Sequence, residues 1–270
     1  AMLDPNPLVS GKGKTELEHA GIKIYVGDNE KQAQQLIEAH TKFTTTSRPF
    51  VTAKYAMSLD GRIASATGDS KWISNEASRE HVQRMRYEAD AVLVGVGTVL
   101  ADNPRLNVRI GDESVRSTKT RVVVDTKGRT PTNAQLFKDT GKVIIATTNA
   151  IQDNKKQQYS KLGAEVIKLP VKGNMVDLDA LLDALGQRNI TSIIAEGGGI
   201  ILGSLFDQGL IDKVATFIAP KIVGGDNSLS PVLGHGVLTM ADALMLHDVT
   251  VETFNEDVLV TGYTKKKGAS

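Results

Sequence analysis

The sequence changes from strand to helix within the run Ile193-Ile194-Ala195-Glu196-Gly197-Gly198-Gly199-Ile200-Ile201-Leu202-Gly203-Ser204. Its apolar residues predict a buried strand over 191–195 and a helix over 200–208. Glycine lets a backbone approach an anion closely, and the N–H groups of a helix's first turn point at that anion. We therefore expect a phosphate-binding turn here. A tight turn without a ligand is the simpler alternative, although three successive glycines exceed what a turn needs.

A second turn of this kind, Gly95-Val96-Gly97-Thr98, follows the apolar run Ala91-Val92-Leu93-Val94. Two such turns indicate one shared crevice, because ligands of open α/β sheets bind outside the carboxyl ends of the strands. Neither is a Rossmann fingerprint, since Leu202 stands where the third glycine of G-x-G-x-x-G belongs. Thr98 and Asp102 share a helical face and are candidates to bond a ribose or an amide. A capping residue and a turn residue are the alternative interpretation.

Strands and helices alternate along most of the chain. Apolar runs predict strands over 50–56, 91–96, 121–125, 142–147, 165–169 and 191–195, and helices over 75–89, 177–188 and 200–208. This α/β alternation is typical of βαβ units in a mostly parallel sheet with helices on both faces. Two β-rich runs over 244–253 and 257–263 predict a C-terminal antiparallel hairpin at the sheet edge.

Residues 1–47 follow a different pattern. The predicted elements are a helix over 15–19, a strand over 22–26, one helix over 29–43 and a polar linker over 44–48. These are too few for an independent core, so we interpret 1–47 as the remnant of a preceding domain plus a linker helix. The main domain then covers 48–264. We expect a surface loop at 111–120 and a disordered tail at 265–270.

The composition excludes several classes of protein. The 270 residues are 40% hydrophobic and 23% charged, and 32 basic against 31 acidic residues leave a net charge of +1. This balance gives no field that favours nucleic acid or an anionic membrane surface. The chain has no cysteine, which excludes disulfides and thiolate metal sites, and a cytoplasmic location is expected. No apolar run approaches the ~20 residues of a membrane span.

Five further side chains are candidates for a site. Arg86 and Arg109 could bind a phosphate or a carboxylate; Arg79 shares the side of the 75–89 helix on which Arg86 lies, and geometry alone does not choose between them. Lys54 lies within a strand, where a solvent-facing position is the more common alternative. Trp72 follows a polar loop and could stack on a flat ligand. The five histidines form no ligand pair, so we expect no metal site.

Five segments form a recognisable set: Arg48-Pro49-Phe50-Val51-Thr52-x-Lys54, Ser58-Leu59-Asp60-Gly61-Arg62-Ile63-Ala64, Gly68-Asp69-Ser70-Lys71-Trp72-Ile73, 94–109 and Glu196-Gly197-Gly198. Together they resemble the reductase domain of the bacterial bifunctional riboflavin-biosynthesis deaminase/reductase, over about residues 48–263. Residues 4–13 are similar to the end of the zinc deaminase domain that precedes this reductase. The His-x-Glu and Pro-Cys-x-x-Cys ligands of that domain are missing from the sequence, so we expect no deaminase activity.

The resemblance implies a dihydrofolate-reductase-like fold, an NADPH cofactor, a homodimer, and reduction of the ribosyl group of 5-amino-6-(5-phosphoribosylamino)uracil to the ribityl group. The substrate-binding residues that it implies are Ser70, Arg86, Leu106, Arg109 and Glu196. The cofactor-binding residues that it implies are Ala56, Trp72, Thr98, Asp102, Thr126, Gly198, Gly199, Ile200, Ile201, Leu202, Gly203 and Ser204. Among these, the turn before Ile200 would receive the pyrophosphate, and Thr126, beside Lys127 or Arg129, the 2′-phosphate.

Simple chemistry suggests roles for the remaining candidates. Ser70, Arg86 and Arg109 would grip the 5-phosphate and so hold C1′ of the opened sugar within reach of hydride. The reaction also needs a proton donor for the ring oxygen of the ribose. Lys54 and Asp60 are the catalytic candidates, with Lys54 preferred.

Three alternatives remain open at this point. The reductase could act on the undeaminated diaminopyrimidinone, although the deaminase-like residues 4–13 argue against that order of reactions. Dihydrofolate reduction is a more distant enzyme alternative. A catalytically silent nucleotide-binding module belongs to a different class, which the joint presence of Lys54, Asp60, Arg86, Arg109 and Glu196 disfavours.

Overall fold

The structure is a computed structural model that describes residues 2–6, 9, 11–109 and 119–264. The predicted loop at 111–120 lies almost wholly outside the described residues, and the predicted tail at 265–270 lies wholly outside them. The helices are α1 (Lys12–His19), α2 (Glu30–Leu36), α3 (Glu38–Thr46), α4 (Glu76–Glu88), α5 (Val96–Asp102), α6 (Asp153–Lys161), α7 (Leu178–Gly186) and α8 (Gly199–Asp207). The strands are β1 (Phe50–Ser58), β2 (Ala91–Gly95), β3 (Thr120–Val124), β4 (Val143–Thr147), β5 (Glu165–Lys168), β6 (Val171–Lys172), β7 (Met175–Val176), β8 (Ser192–Ala195), β9 (Lys213–Ala219), β10 (Leu246–Phe254) and β11 (Asp257–Thr264).

Within the described residues, nine strands form one sheet in the order β10-β11-β9-β1-β8-β2-β3-β4-β5. The pairs β1–β9, β2–β8, β2–β3, β3–β4 and β4–β5 are parallel. The hairpin β10–β11 is antiparallel, and β11 joins β9 in antiparallel register. The predicted mostly parallel sheet with an antiparallel hairpin at its edge is therefore confirmed.

The central strands are buried on both faces. In β2, Val92 and Val94 belong to one core cluster together with Val123 of β3 and Ile145 of β4. Leu93 lies between them and is also buried. Successive side chains of a strand point to opposite faces, so burial of both sets requires a covering layer on each side. The continuous apolar runs that predicted these strands reflect this two-sided burial.

The chain divides into two compact units. One comprises Ala1–Phe50 and Leu182–Ser192, and the other comprises Val51–Leu181 and Ile193–Ser270. In the first unit, no residue of the described helices α1, α2 and α3 is buried. The division of the chain into 1–47, 48–264 and 265–270 stays a prediction. No described helix has the length and apolar character needed to cross a bilayer.

The structure corrects three predictions for the first unit. Residues 22–26 form no strand, since an isolated apolar run has no neighbouring strand to pair with. The single helix predicted over 29–43 is two helices, α2 and α3, because Ile37 leaves the helical conformation with φ −113° and ψ 19°. The predicted linker begins as the last turn of α3, where Thr45 and Thr46 bond their hydroxyls to carbonyls four residues back.

A close approach of two backbones explains a glycine within α8. A Cβ atom at Gly203 would lie 1.4 Å from the carbonyl oxygen of Leu233, whose own N–H donates to Gly199 at 3.0 Å. We expect Gly203→Ala to destabilise the fold by about 1–3 kcal/mol, because backbone rather than a flexible side chain must move. The measurement is urea unfolding. Gly97→Ala in α5 is the control, since nothing lies within 4 Å of its added methyl; equal losses in both variants would contradict this explanation.

Candidate active site

A cavity of about 560 Å³ opens beside β1 and α4. Its lining residues are Lys54, Ala56, Ser70, Trp72, Ile73, Ser74, Glu76, Arg79, Glu80, Val82, Gln83, Arg86 and Arg109. The four cationic side chains outnumber the two carboxylates in this lining, so the cavity favours an anionic small molecule.

Helix α4 presents its arginines to the cavity because both its start and its inner face are fixed. The side chain of Asn75 accepts the N–H of Ser78 at 3.0 Å, and the buried Asp257 accepts both the N–H of Asn75 and the hydroxyl of Ser78 at 2.7 Å. Val82 packs in a cluster with Phe217 of β9. With the helix so anchored, Arg79 and Arg86 lie about two turns apart along it and line the same cavity.

Arg86 and Glu196 form a nearly buried bidentate ion pair. Nε of Arg86 donates to Oε1 of Glu196 at 2.6 Å, and Nη2 donates to Oε2 at 2.7 Å. The two side chains are only 14% and 11% exposed. Burial alone would lower the pKa of Arg86, but the charge of Glu196 outweighs it and the pKa is raised. Burial alone would raise the pKa of Glu196, but Arg86 and Lys54 hold it below its ordinary value. Both groups are therefore charged at neutral pH.

Lys54 lies in the middle of β1 and lines the cavity. The structure does not support the solvent-facing alternative, because Lys54 is half-buried and its side chain lines the cavity. Its Nζ lies 5.9 Å from the centre of the Phe217 ring. Burial lowers the pKa of Lys54; Glu196 opposes this shift and Arg86 adds to it. A lysine with a lowered pKa exchanges a proton more readily near neutral pH, which suits a general acid.

Asp60 has a different environment. Its carboxylate accepts the hydroxyl of Ser58 at 2.5 Å and the backbone N–H groups of Val223 and Gly224 at 3.1 and 2.7 Å. The Ser58 hydroxyl, then the Gly224 and Val223 N–H groups, lower the pKa of Asp60 to about 2. Such a group carries no proton to donate at neutral pH. The geometry disfavours Asp60 as the proton donor and assigns it to holding the loop after β9.

Asp60→Asn tests this assignment. A folded-state pKa of about 2, below the ordinary 3.8, means that the carboxylate stabilises the fold above about pH 4 and loses that effect as pH falls toward 2. We therefore expect the difference in Tm between wild type and variant to be present at pH 7 and to shrink between pH 4 and 2. Asp226→Asn, in the loop after β9 that Asp60 holds, is the control. If Asp60→Asn instead removes a limb of the pH profile of kcat between pH 6 and 9, Asp60 is the general acid of the reaction and this assignment is wrong.

The two glycine turns lie side by side. The N–H of Gly198 donates to the hydroxyl of Thr98 at 2.9 Å, and a Cβ at Gly95 would lie 3.5 Å from the side chain of Ile201. The stretch expected to bind cofactor over 198–204 is mostly helix, because α8 begins at Gly199. Ile201 and Leu202 are buried in it, so their side chains face the core, and Gly203 is buried against the backbone of Leu233. Only the start of this stretch can offer backbone N–H groups to an anion.

Several expected site residues lie outside the cavity lining. Leu106 is buried in the core with a left-handed backbone at φ 56°. The hydroxyl of Thr126 accepts the N–H of Val176 at 3.3 Å, and the hydroxyl of Ser204 bonds Sδ of Met175 at 3.2 Å. Asp102 is exposed at the end of α5. Leu106 was expected to bind substrate, and Asp102, Thr126, Ser204 and the 198–200 turn were expected to bind cofactor; all these roles stay predictions.

Sequence reasoning missed two contributors to the site. Gln83 lines the cavity and accepts the N–H of Arg109 at 3.0 Å, and its spacing of three residues from Arg86 on one helix was a signal available in the sequence. Lys221 donates to the carbonyl of Trp72 at 2.6 Å. That contact joins residues 149 positions apart and had no local signal.

The geometry defines an α/β domain with a cationic small-molecule cavity and paired glycine turns. Residues 49–260 match the sequence model of the RibD C-terminal domain. The chain is 37% identical to the riboflavin biosynthesis protein RibD of Actinobacillus pleuropneumoniae, covering 95% of this chain and 68% of that protein. It is 39% identical to the 2,5-diamino-6-ribosylamino-4(3H)-pyrimidinone 5′-phosphate reductase of Methanothermobacter thermautotrophicus, covering 81% of this chain and 99% of that protein.

A solved structure of a riboflavin-pathway enzyme also matches this chain. The diaminohydroxyphosphoribosylaminopyrimidine deaminase/5-amino-6-(5-phosphoribosylamino)uracil reductase of Thermotoga maritima matches with a TM-score of 0.78 and 31% identity, over 98% of this chain and 70% of that one. The chain belongs to the RibD C-terminal domain family. It is an oxidoreductase of riboflavin biosynthesis, and the recognition made from the sequence motifs is confirmed, as is the expected fold class. A reductase of this family implies a nicotinamide cofactor.

Proposed function

We propose that this chain uses NADPH to reduce the ribosyl group of 5-amino-6-(5-phosphoribosylamino)uracil to the ribityl group, with hydride delivered to C1′. The observation that carries the proposal is the cationic cavity in which Lys54 lies beside the Arg86–Glu196 pair. The bound cofactor supplies the hydride. The chain's own residues bind the pyrimidine nucleotide and move the proton.

On the substrate side, Ser70, Arg86, Leu106, Arg109 and Glu196 are the proposed binding residues. Glu196 already occupies Nε and Nη2 of Arg86, and Nη1 lies 3.3 Å from the carbonyl oxygen of Asn107. We therefore assign two roles to Arg86: it fixes Glu196, which is not itself a lining residue of the cavity, and it offers the rest of its guanidinium to the phosphate. The carboxylate of Glu196, so held, is an acceptor for N–H groups of the pyrimidine.

On the proton side, Lys54 is the proposed general acid for the ring oxygen that leaves C1′. When the C1′–O bond breaks, the oxygen takes a proton from Nζ of Lys54 and becomes the free hydroxyl of the ribityl chain. The lowered pKa of Lys54 favours release of that proton. Asp60 keeps only its loop-holding role in this scheme.

The start of α8 fits the anionic bridge of a dinucleotide. Gly198 is its N-cap residue, and because glycine has no side chain, it does not cap the N–H groups of the first turn. A Cβ at Gly198 would meet only the Thr98 hydroxyl, at 3.5 Å. The first-turn N–H groups therefore meet the requirement for anion binding at a helix N-terminus. The 2′-phosphate of NADPH is assigned to Thr126 with the exposed side chains of Lys127 or Arg129. The other cofactor positions, Ala56, Trp72, Asp102 and the rest of 199–204, are proposed with them.

The order of deamination and reduction is tested by assaying both pyrimidines. The relatives include both RibD, which is 37% identical to this chain, and a reductase named for the undeaminated substrate, which is 39% identical, so the assay carries the decision. We expect higher kcat/KM on the deaminated uracil, and a lower KM for NADPH than for NADH. Preference for the undeaminated compound would overturn the substrate assignment, and absence of NADPH oxidation with either compound would overturn the function. The cytoplasmic location stays a prediction.

The proposed homodimer is supported by an apolar surface along the edge strand β10 and the segment before it. Leu238 is 100% exposed and Met240 is 87% exposed, and Met245 and Val251 are exposed as well. A monomer rarely leaves such a surface uncovered next to a free strand edge. We expect the double substitution Leu238→Asp and Met240→Asp to give a monomer in light scattering. Val171→Asp, an exposed valine elsewhere, should leave the dimer intact; a double variant that stays dimeric would contradict this interface.

A further inference from the structure

The segment 103–109, which follows α5, makes a backbone contact with the Arg86–Glu196 pair. Nε and Nη2 of Arg86 are bonded to the carboxylate of Glu196, and Nη1 donates to the carbonyl of Asn107 at 3.3 Å. A bidentate pair has a fixed plane, so a third contact on the guanidinium also fixes the direction in which the carboxylate points. The position of the 103–109 segment therefore bears on the geometry of the pair.

The 103–109 segment is attached to residues outside the cavity. The side chain of Asn103 accepts the N–H of Gln135 at 2.8 Å, and Leu106 is buried in the same core cluster as Leu136. The backbone of Leu106 is left-handed, with φ 56°. A leucine keeps such a conformation only where its surroundings hold it, because it costs about 1–3 kcal/mol. The segment thus depends on contacts with neighbouring elements for its shape.

Asp139 supplies one of these contacts, and the loop that carries it is itself anchored. Oδ2 of Asp139 accepts Nδ2 of Asn107 at 3.0 Å, across 32 positions of the chain. The carbonyl oxygens of residues 139–141 all accept Nη2 of Arg121, at 3.1, 2.9 and 2.7 Å. Arg121 is only 1% exposed and lies in the central strand β3. A rigid strand therefore holds the loop from which Asp139 reaches Asn107.

We propose that Asp139 is a positioning residue for the reaction, acting through its hydrogen bond to Asn107. That bond holds the 103–109 segment in place. The Asn107 carbonyl then keeps the Arg86–Glu196 pair in the orientation that the pyrimidine meets. Asp139 lies outside the cavity lining, so it acts on the pair rather than on the substrate. The inference rests on the proposed function and concerns residues that neither the motifs nor the family resemblance assigned.

Exchanging the two side chains tests the bond itself. Asn107→Asp places a second carboxylate against Asp139, and we expect kcat/KM for the pyrimidine to fall about 10- to 100-fold, the range of a lost hydrogen bond to a charged group. Adding Asp139→Asn restores a carboxylate–amide bond with the roles exchanged, so the double variant should return to within about threefold of wild type. A double variant no better than Asn107→Asp alone overturns the proposal.

Support of the buried Arg121 is the competing role for Asp139. Burial lowers the pKa of Arg121, and the charge of Asp139 opposes that shift. Asp139→Asn removes the charge but keeps an oxygen that can accept from Asn107, whereas Asp139→Ala removes both. We expect kcat/KM to fall about 10-fold or more in Asp139→Ala and at most about threefold in Asp139→Asn. Thr140→Ala, an exposed change that keeps the carbonyl, should match wild type. Equal losses in the two Asp139 variants would assign the residue to Arg121 instead.

Amide hydrogen exchange, followed by mass spectrometry, gives a readout that does not depend on turnover. Exchange over 103–109 should be faster in Asp139→Ala and return to the wild-type rate in the exchanged double variant, while β2 stays protected in both. If wild type reduces neither pyrimidine but exchange follows this pattern, the proposed function fails and the hold on the segment stands. If wild type is active, a normal kcat/KM in Asp139→Ala, or a loss without faster exchange over 103–109, contradicts the positioning role.

Discussion

Lys54→Met should lower kcat by about 10²- to 10⁴-fold, the range that a positioned general acid contributes. Methionine keeps the length of the side chain and removes the ammonium group that would protonate the leaving ring oxygen. KM for NADPH should change little, because the substitution leaves Ala56 of β1 unchanged and the other proposed cofactor residues lie outside β1. The measurement is steady-state NADPH oxidation under saturating substrate.

The pH profile provides the second readout for Lys54. Burial, only partly opposed by Glu196, sets the pKa of Lys54 below its ordinary value of 10.5. The acid must be protonated to act, so wild-type kcat should fall as pH rises through that lowered pKa, and the variant should lack this limb. Lys172→Met, an exposed lysine in β6, should behave as wild type. A Lys54→Met enzyme with near-normal kcat would remove this residue from the mechanism.

Glu196→Gln should destabilise the fold by about 3–5 kcal/mol, the usual cost of leaving a buried charge without its partner. The amide can still accept one hydrogen bond, but it gives Arg86 no negative charge. The chain supplies its own matched comparison. Arg48 and Asp183 form a bidentate pair of the same geometry, at 2.6 and 2.9 Å, with side chains 31% and 48% exposed. Asp183→Asn should therefore cost at most about 1 kcal/mol in urea unfolding.

The Glu196→Gln variant also reports on the pKa of Lys54. Glu196 raises the pKa of Lys54 against the effect of burial, so removing its charge should move the alkaline limb of kcat to lower pH. Equal stability losses in Glu196→Gln and Asp183→Asn would show that the Arg86–Glu196 pair is not desolvated. An alkaline limb of kcat that does not move in Glu196→Gln would show that the pair is not coupled to Lys54.

The elements that the sequence predicted well are those with strong local patterns. The strands that became β2, β3, β4 and β8 are short apolar runs buried on two faces, and helix α4 has a capping asparagine at its start. Helix α6 was missed because its only buried residue is Tyr159, so it has no apolar stripe. Strand β9 was also missed, although the run Lys213–Ala219 carries a detectable apolar pattern.

The site was less predictable because its decisive contacts are long-range. Glu196 could be identified as a candidate, but its bond to Arg86 joins positions 110 residues apart, and nothing local reveals that it occupies the arginine's fork. Likewise, the sequence shows only that Asp60 is an acidic residue six positions after Lys54. The fold shows that its carboxylate is bonded to the loop at 223–224. Sequence patterns therefore identify which residue types are present, while the tertiary fold decides which of them are free to react.

Isotope transfer tests the proposed reaction most directly. The chain is incubated with 5-amino-6-(5-phosphoribosylamino)uracil and NADPH deuterated at both C4 positions, and the product is examined by NMR and mass spectrometry. We predict one deuterium per product molecule, located at C1′ of the ribityl chain. A product that carries only protium at C1′ while the deuterated cofactor is oxidised would contradict direct hydride delivery.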